Sequence, residues 1–93
     1  MAFLDDVKKY LRVTTSALDG EVQDLIDAAK ADLELSGVDG DKVDPTDPLI
    51  RRAVVTYCKA HFGYDNTDHE RLVQAYNMLK AHLALAGDYH EVE

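Results

Sequence analysis

The sequence predicts an all-α fold: a small bundle of about four helices, with a long loop between the second and third. Three observations carry this. Apolar residues recur at helical spacing in four separate stretches, no run alternates with the period of two that marks a strand, and Gly, Pro and capping residues fall where the stretches begin and end. Ninety-three residues, 46% hydrophobic and 30% charged, suit one folded domain over 1–93 with a single modest core, and residues 88–93 read as a polar tail.

The first helix lies in "AFLDDVKKYL", where Phe3, Leu4, Val7, Tyr10 and Leu11 share a face opposite Asp5, Asp6, Lys8 and Lys9. "RVTTSALD" follows, and its β-branched and hydroxyl residues end that helix near Arg12. Ser16 is then placed to cap the second helix, with Asp19 three residues on in a weak capping-box position. Val22, Leu25, Ile26, Ala29 and Leu33 form the buried face of this long helix, opposite Asp24, Asp27, Lys30, Asp32 and Glu34. Gly37 closes it, since glycine enters the left-handed region without Cβ strain.

The loop "VDGDKVDPTD" holds Asp39, Asp41 and Asp44 in a spacing that invites a calcium reading. The pattern fails in detail: Gly40 stands second where Gly belongs sixth, and no Glu follows before Glu70. A solvated acidic loop is the better description. Asp47 and Pro48 then supply a strong helix start, with a capping carboxylate followed by a proline at the first helical position. The third helix buries Ile50, Ala53, Val54, Tyr57 and His61, broadened by Cys58 and Phe62, and ends at Gly63. Thr67 and Glu70 match a capping box that opens the fourth helix, whose buried face runs through Leu72, Val73, Tyr76, Leu79, Leu83 and Ala86 to Gly87.

Composition narrows the function. A net charge of -8 disfavours simple nucleic-acid binding, which draws on Lys and Arg to neutralise phosphates. The single cysteine, Cys58, forms no internal disulfide, and no stretch reads as a signal peptide or a membrane span; the chain is therefore expected in a reducing cytoplasm, away from membranes.

Two clusters invite chemistry. Cys58 and His61 lie three apart on one helical surface, and His69 or Asp65 would have to supply further metal ligands. Structural zinc sites pair Cys or His on both arms, and the second arm here has no such pair. A Cys–His nucleophile would also need an orienting group and an oxyanion site, for which so short a chain has little room, so no enzyme activity is expected. The plainer reading makes Cys58 a core filler and Tyr57 and His61 amphipathic residues with a buried body and a wet tip. Arg51 and Arg52 point about 100° apart on a helix, so one face cannot use both as a phosphate clamp, and solvent or subunit contact is expected of them.

The stretches "DPLIRRAVVTYCKAHFGYDN" and "YNMLKAHLALAGDY", together with "VKKYLRV" and "LIDAAKADLELSGV" upstream, resemble the head-tail connector proteins of tailed phages and prophages, an adaptor family often described as possible DNA-packaging proteins. The resemblance spans most of residues 4–89. It implies a small helical virion protein, assembled in the host cytoplasm, that forms a ring of about a dozen copies beneath the portal. Such a ring extends the DNA channel, lets DNA pass without specific binding, and docks head-completion or tail proteins. It implies no cofactor, metal or catalytic residue. Helix two, the loop from Gly37 to Asp47 and the segment after Gly87 are the surfaces it suggests for assembly. Tyr64 and Tyr89 are further interface candidates, because a loop or tail aromatic gains little in a monomer. A small metal-binding or nucleic-acid-binding regulatory domain remains the alternative, resting on Cys58, His61 and His69 or on the Arg pair.

Overall fold

A computed structural model describes residues 3–44, 46–62 and 67–85. Four helices account for most of them: α1 (Phe3–Leu11), α2 (Asp19–Leu35), α3 (Pro48–His61) and α4 (His69–Leu85), with short 3-10 turns at Ser16–Leu18 and Gly40–Lys42. There is no strand among the described residues, and none of their helices is long and apolar enough to cross a membrane. The all-α bundle expected from the apolar spacing is what forms.

α3 is the central element and packs against each of the other three helices, while α1 also packs on α2. This position explains the breadth of its buried surface. Ile50, Ala53, Val54 and Cys58 are fully covered, and Val55 and Ala60, outside the face read from the sequence, are buried as well. His61, assigned to that face, is exposed instead, and Tyr57 is only half-buried. Val7 of α1, Val22, Ile26, Ala29 and Leu33 of α2, and Tyr76 and Leu83 of α4 complete the core. A fully buried Leu or Ile of this kind contributes about 1.5–3 kcal/mol through burial.

The helix ends show how local chemistry fixes the chain path. α1 stops because Arg12 adopts a left-handed conformation, φ 60°, while the amides of Arg12 and Val13 donate to the carbonyls of Lys9 and Lys8 at 3.2 and 3.0 Å. These are the paired bonds of a Schellman motif, here with an arginine where glycine is usual. α2 ends in the same motif on Gly37, φ 105°: its amide donates to Glu34, and the Val38 amide donates to Leu33, both at 3.1 Å. Val38 and Leu33 are both buried, which seals the turn with an apolar contact.

Two caps differ from expectation. Thr15, not Ser16, caps the entry to α2: its hydroxyl accepts the Ala17 amide at 3.1 Å, starting the 3-10 turn that runs into the helix. Asp19 forms no capping box and instead pairs with Lys8 at 2.6 Å, tying α2 to α1. α4 begins at His69, and the Asp68 carbonyl accepts the Leu72 amide at 2.9 Å. The cap position therefore falls on Asp68, one residue after Thr67, and Glu70 sits in the first turn rather than in the reciprocal capping position. Asp47 caps α3 as expected, accepting the amides of Leu49 and Ile50 at 2.9 and 3.3 Å, with Pro48 behind it.

The acids of the long loop serve its own turns. Asp39 accepts the Asp41 amide at 3.0 Å, and Asp44 accepts both the amide and the hydroxyl of Thr46 at 2.9 and 2.8 Å. The amide and then the hydroxyl of Thr46 hold the Asp44 carboxyl below its ordinary value. The expected helix ends at Gly63 and Gly87, the inward Ala86 and the 88–93 tail lie outside the described residues.

Candidate functional site

The cysteine and histidines singled out as metal candidates do not converge. Cys58 is wholly buried in the core, and burial pushes its thiol up to about 12, so at neutral pH it is a packed apolar group rather than a thiolate ligand. His61 and His69 do meet, ring edge to face, with centroids 5.3 Å apart. His69 Nδ1 lies 2.6 Å from the carbonyl oxygen of Ala60, which only accepts, so this nitrogen carries the proton. His61 in turn lies against Tyr57 at 4.4 Å, and burial followed by the charge of His69 lowers its pKa. Among the described residues, no group of three or more His, Cys, Asp or Glu is placed to hold a metal ion. Asp65 lies outside them, as do Tyr64 and Tyr89.

The aromatic row continues into a polar clamp that sequence reasoning missed. Tyr57 meets Tyr76 edge to face at 5.0 Å, and the Tyr76 hydroxyl donates to Asp32 Oδ2 at 2.6 Å. Lys80 Nζ donates to the same oxygen at 3.1 Å and lies 5.4 Å from the centre of the Tyr76 ring. One carboxylate on α2 thus gathers two side chains of α4. Burial pulls the Asp32 pKa up, but the bonds from Tyr76 and Lys80 and the lysine charge outweigh it, and the net shift is downward. Burial and the neighbouring carboxylate both push the Tyr76 hydroxyl far up, so it stays a hydrogen-bond donor at every working pH. The arrangement fastens α2 to α4 and has no group poised to exchange a proton. The apolar spacing assigns Asp32 to the solvent side of α2; it adjoins the buried Leu33, and that edge position is the one available signal.

A concave surface lies elsewhere, on the outer side of α3. Two adjoining surface hollows of about 390 and 400 Å3 share Arg52, Thr56 and Leu72. Tyr10, Arg51, Val55 and Lys59 line the first, and Met78, Leu79 and His82 line the second. Contrary to the helical-wheel argument, both arginines reach one hollow, because it wraps the outer side of α3 and their side chains bridge the angle between their Cα–Cβ bonds. Among the described residues the lining is cationic and apolar, with no acidic side chain. Tyr10 and Met78 on its walls are 55% and 67% exposed.

A family model described as "Phage connector protein" matches residues 3–90. Comparison with curated proteins gives no match, and comparison with solved structures gives none either.

Proposed function

Because the chain belongs to the phage connector protein family, we propose that it is a structural protein of the phage head-tail junction. It assembles as a ring of about a dozen copies beneath the portal, extends the DNA channel, and docks head-completion or tail proteins. The observation that carries this reading is the family match across nearly the whole chain. The fold supports it from a second side: Cys58 and Tyr76, whose groups burial pushes furthest up, are committed to packing and to joining helices, as is the Asp32 carboxylate that Tyr76 bonds. The net charge of -8 suits a channel through which DNA passes without adhering, since a negative wall repels phosphate.

Deleting the gene from the phage or prophage that encodes it tests the role. The expected result is DNA-filled heads without tails, restored by the protein in trans, with added density below the portal in electron micrographs. Tailed, infectious particles without the protein would end the proposal. The cationic hollow gives the nucleic-acid-binding alternative its one supporting observation, and retardation of duplex DNA at low salt, where electrostatic binding is strongest, tests it.

A further inference from the structure

Charge in this chain is divided by region. Ten of its 18 acidic residues lie between Asp19 and Asp47, on α2 and the loop after it, whereas residues 48–62 contain none and include Arg51, Arg52 and Lys59. The outward face of α2 carries Gly20, Asp24, Asp27, Ala31 and Leu35, all exposed and all opposite Val22, Ile26, Ala29 and Leu33. Leu35 is 88% exposed. A Cβ built on Gly20 would meet nothing within 4 Å, so packing within the chain does not require glycine there. In a helix, glycine costs about 0.5–1 kcal/mol relative to alanine, and a close approach by another molecule is a reason to keep it.

We propose that the hollow bounded by Arg52, Lys59, Val55, Leu72 and Met78 receives the outward face of α2 from a second copy of this chain. The proposal rests on the connector reading and deepens it by naming the two surfaces that join. Small residues let the incoming helix lie close, its carboxylates meet the arginines and lysine, and Leu35 finds apolar cover near the exposed hollow walls. The surfaces share no residue, so each copy offers both at once. That is the requirement for head-to-tail contacts, which propagate and close into a ring, whereas a self-complementary patch would stop at a dimer.

Charge exchange tests it. In Arg52→Glu the hollow repels α2, and in Asp24→Arg/Asp27→Arg the helix repels the hollow; each variant alone should self-associate about tenfold more weakly than wild type in sedimentation experiments and fail to restore tailed particles to the deletion. Mixed or co-expressed, the two should alternate, each native surface meeting a native one and each reversed surface a reversed one, and recover assembly. Gly20→Ala supplies a control for folding, because it should raise the melting temperature while weakening association. The proposal is overturned if either reversed variant restores particles as well as wild type, or if the mixture fails like its components. It is equally overturned if Arg52→Glu abolishes DNA retardation and leaves assembly intact, which would assign the hollow to nucleic acid. The connector reading stands or falls separately: particles with a ring built from a reversed variant would sink the interface alone, while normal tails in the deletion would sink the function.

Discussion

Replacing Tyr76 by Phe removes one oxygen and leaves the ring against Tyr57, so its cost isolates the bond to Asp32. That bond is 2.6 Å long and its acceptor is charged at neutral pH. Hydrogen bonds to charged groups contribute about 1.5–3 kcal/mol. Here the Asp32 side chain is 35% exposed and keeps Lys80 at 3.1 Å after the substitution, so water and lysine meet part of the acceptor's demand. The expected loss is therefore about 1–1.5 kcal/mol, at the low end, or a fall of about 5–10 °C in melting temperature. Urea denaturation at pH 7 measures it. The pH dependence supplies an independent check, because burial raises the Asp32 pKa less than Tyr76 and Lys80 lower it. A carboxyl held low when folded takes up its proton more readily when unfolded, so its stabilisation is complete above about pH 5 and is lost as pH falls through the folded value. The Tyr76→Phe penalty should be flat from pH 7 to about pH 5 and shrink below about pH 4. A penalty under about 0.3 kcal/mol at pH 7, or one that grows on acidification, would refute the clamp.

Arg12→Gly should stabilise the chain by about 0.5–1 kcal/mol, since relief of a left-handed residue outweighs the extra entropy of an unfolded glycine; a lower melting temperature would contradict the Schellman assignment at that turn. Asp47→Ala should cost about 1 kcal/mol in chemical denaturation by releasing the amides of Leu49 and Ile50, and Asp47→Ser should recover most of it. Cys58 should react with a disulfide reagent at pH 8 many times more slowly in the native protein than in denaturant, because burial holds the thiol protonated and covered. Prompt native labelling would show the core placement to be wrong.

What is legible in the sequence is what short range decides. Asp47 and Pro48 announce the start of α3, and Gly37 the end of α2, because a cap or a left-handed turn is chosen within four or five residues. Where two capping residues stand side by side, as with Thr15 and Ser16 or Thr67 and Asp68, the choice falls to tertiary packing, and the sequence pattern misses by one residue each time. The Asp32–Tyr76 clamp spans 44 positions, so no local pattern could reveal it. His61 is misplaced by its spacing for a related reason: α3 meets neighbours on three sides, and that widens its covered surface toward Val55 and Ala60 instead of following one apolar stripe.

The candidate interface residues are obscured by averaging. A net charge of -8 argues against phosphate binding by the chain as a whole, yet the same sum conceals a stretch from Pro48 to Phe62 without one acid. The Cα–Cβ bonds of Arg51 and Arg52 diverge, which speaks against a shared role, whereas a concave surface curved around α3 gathers both. Long side chains relax the angular rule that governs short ones. Segregated charge of opposite sign on two non-overlapping surfaces is more informative than its total: in the proposed interface it would orient one copy against the next. A uniformly acidic protein would repel its neighbours all round. On the proposed interface the acids of α2 and the bases of α3 would instead make repulsion of DNA compatible with attraction between copies, which a ring enclosing DNA would require at the same time.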